Sequence, residues 1–113
     1  MHERSAEDAL ARAAGAGLEV YVKEALANGR LAGGAAPPAL VASALERGTT
    51  PDALALAAAL AQPWATVVLS GAATVAQLES NLAAREVAWD GGLEELREPA
   101  EEFWAARAAL PWN

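Results

Sequence analysis

The sequence predicts an α/β fold whose two strands run parallel and belong to a larger sheet. Three observations carry this expectation. Two β-rich runs, at residues 18–22 and 65–70, are separated by helical stretches and not by a hairpin turn; strands joined through helices lie parallel. The second run, Ala65-Thr66-Val67-Val68-Leu69-Ser70, has no polar alternation, which is the pattern of a strand covered on both faces. Two such strands alone would leave long apolar edges, so neighbours are expected.

Each element has its own signals. Ser5 is placed as the N-cap of a helix over residues 5–14, with Glu7 and Asp8 at the positive end of its dipole and Gly15 and Gly17 closing it. The strand at residues 18–22 follows. Residues 24–38 are rich in Ala, Gly and Pro, with Asn28-Gly29 and Gly33-Gly34 as turn signals, and predict about a dozen residues without regular structure. Loops of that length inside compact domains are often functional. A second helix occupies residues 38–47 and stops at Gly48. Thr50-Pro51-Asp52 opens a third, with Thr as N-cap and Pro preorganised at the first helical position. That helix, residues 51–61, is apolar nearly all round.

After the second strand, Thr74-Val75-Ala76-Gln77 has the form of a capping box. Leu78, Leu82 and Val75 would give the helix it starts an apolar stripe. A last helix is expected over residues 93–109, with Glu94, Glu95, Glu98, Glu101 and Glu102 on its wet side, Leu96, Phe103 and Trp104 at apolar positions, and a kink at Pro99. Helix, strand, loop, two helices and strand make a βαβ unit with an expected right-handed crossover.

Composition narrows the function. The 54% hydrophobic content is inflated by 32 alanines against one Phe, one Tyr, one Met and no Ile. Each buried methyl contributes only about 0.8 kcal/mol, so the four tryptophans are expected to matter wherever they are buried. The net charge is −7, Lys23 is the sole lysine and no basic stripe exists, which argues against nucleic acid as a partner. Without cysteine there is no disulfide, thiolate metal site or cysteine nucleophile. No signal-peptide pattern and no apolar run of about 18 residues is present; the expectation is a soluble, cytoplasmic chain without a membrane partner.

The residues that bear on chemistry concentrate after the second strand. Ser70-Gly71-Ala72-Ala73-Thr74 joins a buried strand to a helix N-terminus, where backbone N–H groups and the helix dipole suit a phosphate. Gln77 and Asn81 lie four apart on one helix face, so both amides would reach a ligand along the first turns. The same residues would equally serve as a plain βα turn with a capped helix. His2 is the only histidine and falls in a terminus expected to fray. Tyr21 and Lys23 flank Val22 on one side of the strand, as a tyrosine–lysine proton-transfer pair would, but Lys23 sits at the strand exit and Tyr21 reads as easily as a core residue. The glutamates of the last helix read as a solvated face, not as a metal site.

Three stretches together resemble the C-terminal part of the aldo-keto reductases, NAD(P)H-dependent carbonyl reductases built on a (β/α)8 TIM barrel. Residues 22–31, from Val22-Lys23-Glu24 to Asn28-Gly29-Arg30-Leu31, are similar to the segment after the seventh barrel strand. Thr50-Pro51-Asp52 through Gln62-Pro63 is similar to the seventh helix. Val68-Leu69-Ser70-Gly71-Ala72-Ala73-Thr74 through Gln77, Asn81 and Leu82 is similar to the eighth strand and helix. The likeness spans most of residues 16–85, and Phe103-Trp104, Arg107 and Pro111-Trp112-Asn113 look like the tail of one reductase branch.

The resemblance implies a fold that is the C-terminal portion of a (β/α)8 barrel, with a missing barrel half as its partner. It implies that Gly71, Ala72, Ala73, Gln77 and Asn81 would lie around the adenosine and its 2′-phosphate, and Ala25, Leu26 and Asn28 near the pyrophosphate. NADPH is the implied cofactor. NADH stands beside it, because Ala73 replaces a frequent hydroxyl, Ser80 a frequent adenine-contacting Glu, and Gly71-Ala72 the Lys-Ser of another branch. A small carbonyl compound is the implied substrate of the intact chain. The family's catalytic Asp, Tyr, Lys and His come from earlier strands, and a whole barrel needs about 250 residues, so no residue here is assigned a catalytic role. Two alternatives stand beside this: a non-catalytic helical interaction module whose strand edges are covered by self-association, and an unrelated phosphate-binding α/β fragment.

Overall fold

A computed structural model of the chain describes residues 2–111. It is a small α/β domain of five α-helices and one two-stranded parallel sheet that does not close on itself. The elements are α1 (Glu7–Gly15), β1 (Tyr21–Val22), α2 (Pro38–Glu46), α3 (Pro51–Leu60), β2 (Val67–Val68), α4 (Val75–Leu82) and α5 (Ala100–Ala108). Short 3-10 turns occupy Gly33–Ala35, Ala83–Glu86 and Glu94–Leu96.

Helix ends follow their local chemistry where glycine and threonine stand. After α1, the Leu18 N–H donates to Ala13 O and the Gly17 N–H to Ala14 O, with Gly17 at φ 85°; this paired pattern needs a left-handed residue at its turn. The same arrangement closes α2, where Thr49 donates to Ala44 O, Gly48 to Leu45 O, and Gly48 has φ 63°. Thr50 caps α3 through Ala53 N–H, and Thr74 with Gln77 forms the reciprocal box on α4. Ser5 does not cap α1: the position before that helix is Ala6, without a side-chain bond.

The core is built around α3. Six consecutive residues, Ala53 to Ala58, are buried, so this helix is covered on every side, as its all-round apolar sequence requires. On one side Leu54 and Ala55 meet Leu40 and Ala44 of α2 together with Ala27 and Leu31 of the preceding loop. On the other, Ala53, Leu56 and Ala57 meet Ala84, with Val68 and Val87 alongside. Small alanines let the backbones come close, and the three leucines Leu31, Leu40 and Leu54 supply the largest fully buried side chains.

Two expectations need correction. The strands shrink to two residues each, paired Tyr21 with Val67 and Val22 with Val68. The flanks add the bonds from Thr66 and Val67 N–H to Val20 O, from Leu69 N–H to Val22 O and from Val20 N–H to Thr66 Oγ1. Neither strand is covered on both faces: Leu18 and Tyr21 are exposed and Leu69 is half exposed, because among the described residues each strand has a single neighbour. Second, the last helix does not run from residue 93. Leu93 takes a left-handed φ of 59°, a 3-10 turn follows, and the chain is extended at Arg97 before α5 starts after Pro99. Proline disfavours helix in the residue before it, so Pro99 ends one segment instead of kinking a continuous helix. The loop after β1 holds no α-helix or strand, as expected; it is a chain of bonded turns, with Ala27 donating to Glu24 O, and both Gly29 and Leu31 to Leu26 O, anchored by buried Ala27 and Leu31.

Candidate functional site

The parallel register places the segments after β1 and after β2 on the same sheet edge. All eight residues expected around a cofactor stand on these two segments or on the helix that follows the second.

At the second segment, Gly71 has φ 66°, and a Cβ there would meet nothing within 4 Å. Glycine is thus required by the backbone and not by crowding. The turn is pinned from within. Ala72 N–H donates to Ser70 Oγ at 3.3 Å, and Asn81 Nδ2 to Ser70 O at 3.2 Å. Gln77 Oε1 accepts from Ala73 N–H at 2.8 Å and Thr74 N–H at 3.2 Å, while Gln77 N–H donates to Thr74 Oγ1. The capping box thereby engages the Ala73, Thr74 and Gln77 donors, and the first turn of α4 has the Val75 and Ala76 N–H groups to offer an anion. Asn81 is buried, whereas Gly71, Ala73 and Gln77 face solvent. Gln77 and Asn81 share a helix face as read from their spacing, but each amide already has a partner in the turn.

At the first segment, Ala25 and Leu26 are half-buried against the α3 core, and only Asn28 is exposed, at φ 56°. Glu24 and Ala27 also have positive φ, 56° and 48°, so this turn holds three non-glycine residues in the left-handed region. Each such residue is costly unless the surroundings over-determine it. Here the bonded turns, the buried Ala27 side chain and a bidentate pair from Arg107 do so: Arg107 Nε and Nη2 donate to the two Glu24 carboxylate oxygens at 2.8 Å each. That pair ties α5 onto the turn. The Arg107 hydrogen bonds hold the Glu24 carboxyl below its ordinary pKa, and the same bonds raise that of Arg107. Tyr21 and Lys23 lie exposed, with Tyr21 OH donating to Glu19, so Tyr21 is not part of the core.

No protein-family model matches this chain, and no curated protein sequence matches it.

The residue that sequence reasoning missed is His2. It is only 7% exposed, not frayed. Its Nδ1 lies 2.8 Å from both Leu96 O and a Glu98 carboxylate oxygen, and its own carbonyl accepts from Glu98 N–H at 2.8 Å. Arg30 also donates to Glu98, and the Arg30 guanidinium lies 5.8 Å from the Phe103 ring centroid. Phe103 in turn meets Trp104 edge-on, at 5.3 Å. The N-terminal segment, the turn after β1 and the segment that carries α5 are therefore knotted together by contacts distant in sequence, the His2–Leu96 bond spanning 94 positions. No local pattern announces such a pairing. Among the described residues no group of three or more acidic or histidine side chains is arranged to hold a metal ion, and no helix is long and apolar enough to cross a membrane.

Proposed function

We propose that this chain is the cofactor-binding C-terminal part of an NAD(P)H-dependent aldo-keto reductase, whose intact (β/α)8 barrel would transfer hydride from the nicotinamide to a small carbonyl compound. The observation that supports this most is the common sheet edge. The turn at Glu24 to Asn28 and the turn at Ser70 to Thr74 leave the carboxyl ends of adjacent parallel strands, which is where open and closed α/β sheets hold their ligands. In this reading Gly71, Ala72, Ala73, Gln77 and Asn81 border the adenosine end, and Ala25, Leu26 and Asn28 the pyrophosphate. Their part is binding, with the hydride chemistry belonging to the cofactor. The proton donor would come from barrel strands outside these residues.

The exposed Leu18, Tyr21, Leu69, Leu78 and Leu82 fit the same reading, because further strands and helices would cover them. They also favour a second one, an interaction module that covers them by self-association.

Amide exchange of the 113-residue chain with NADPH and with NADH tests the proposal. The expected result is added protection confined to residues 24–28 and 71–81, stronger with NADPH, and no turnover of an aldehyde. Unchanged exchange at millimolar concentrations of both cofactors would sink it. Aldehyde reduction by this chain would overturn the separation of binding from catalysis.

A further inference from the structure

Away from the Gly71 turn, a cavity of about 480 Å³ lies between the N-terminal segment, the exit of β1, the end of α3 and the segment that carries α5. That volume falls within the roughly 300–1,000 Å³ of small-molecule pockets. Its walls include Leu10, Val22, Ala58, Trp89 and Phe103, so the body of an occupant would be apolar.

Two buried side-chain polar atoms lack a hydrogen-bond partner among the described residues, Nε2 of His2 and Nε1 of Trp64. Both residues line this cavity. An unpaired buried polar group is costly and calls for an explanation such as a ligand. The two atoms have opposite needs. His2 Nδ1 faces two acceptors, Leu96 O and Glu98, so Nδ1 carries a proton, and in the neutral tautomer this leaves Nε2 as an acceptor. Indole Nε1–H only donates. Six of the charged groups along the cavity form pairs, Arg4 with Glu7, Arg97 with Glu94 and Arg107 with Glu24, and Glu3 and Lys23 offset each other in sign, so the lining has no net charge that calls for an ion.

We propose that this cavity binds a small neutral molecule with an apolar body and one head group that both donates and accepts a hydrogen bond, of the carboxamide or alcohol class. The head donates to His2 Nε2 and accepts from Trp64 Nε1–H, and the apolar body replaces water against the alanine and aromatic walls. This site uses none of the residues around the Gly71 turn; it shares Ala25 with the turn after β1, but the two nitrogens that define it, on His2 and Trp64, have no part in the reductase reading.

The test is titration of the ¹⁵N-labelled full chain with three probes that share a phenyl ring: benzamide, benzoate and toluene. The Trp64 indole N–H and the His2 ring nitrogens are followed by NMR. Benzamide is expected to shift both sets of resonances saturably, and to bind about tenfold more tightly than toluene, the gain of one or two hydrogen bonds. Trp64→Phe should weaken benzamide about three- to tenfold and leave toluene unchanged. Equal binding of toluene and benzamide would overturn the role of the two nitrogens. Tighter binding of benzoate would overturn the neutral head, and no saturable shift with any probe would overturn the site.

Discussion

Leu54 shows what single residues contribute in a core made largely of alanine. It is fully buried in the middle of α3, between α2 and the loop after β1, and the methyl groups around it are too small to move into a void. Leu54→Ala is expected to lower stability by about 2–5 kcal/mol in urea unfolding. Leu45→Ala, at a side chain 79% exposed on α2, should change it by about 0.5 kcal/mol or less. Similar losses at both positions would mean that α2 packs differently. Thr50, Thr74, Gln77 and Gly48 were legible as caps, because a cap is satisfied by neighbours within a few positions. Ser5 was misread for a related reason: a capping residue type just before a helix must also take non-helical dihedrals at the right position, and Ala6 occupies that position.

At the scale of elements, α5 is held by charge as much as by packing. Glu24 and Arg107 join it to the turn after β1, and Phe103 is its half-buried anchor against the core. The Arg107 hydrogen bonds depress the Glu24 pKa. A carboxyl lowered on folding adds stability that is present above its unfolded value and is lost as the pH falls through the lowered one. Arg107→Gln should therefore reduce the urea midpoint at neutral pH, and its difference from the parent should fade in acid below the lowered Glu24 value. A difference that stays constant across this range would assign the effect to packing. Element boundaries were least legible where one residue outweighs a periodic pattern. Leu93 and Pro99 cut the acidic stretch before α5, although its apolar spacing continues across them.

On the scale of the whole molecule, the radius of gyration of 13.9 Å is close to the roughly 13 Å of a folded domain of this length, so the chain is packed despite its thin sheet. What the packing leaves over is apolar: Leu18, Tyr21 and Leu69 around the strands, and Val75 at 74% exposure with Leu78 and Leu82 on α4. The stripe expected to bury α4 is thus largely uncovered, and both strands have an unpaired edge. Size-exclusion chromatography with light scattering is expected to show concentration-dependent self-association. Tyr21→Lys on β1 with Leu69→Lys just after β2 should shift the chain towards monomer. A monomer at all concentrations would show that these faces tolerate water. The order of helices and strands, their parallel pairing and the buried character of α3 could all be read in advance, since they follow from periodicity, caps and β-branched runs acting over short distances. Where His2 goes, how far the strands extend and what covers α4 were settled only by tertiary structure. Those outcomes depend on partners such as Leu96 and Glu98, which meet His2 by folding and leave no mark in its own sequence neighbourhood.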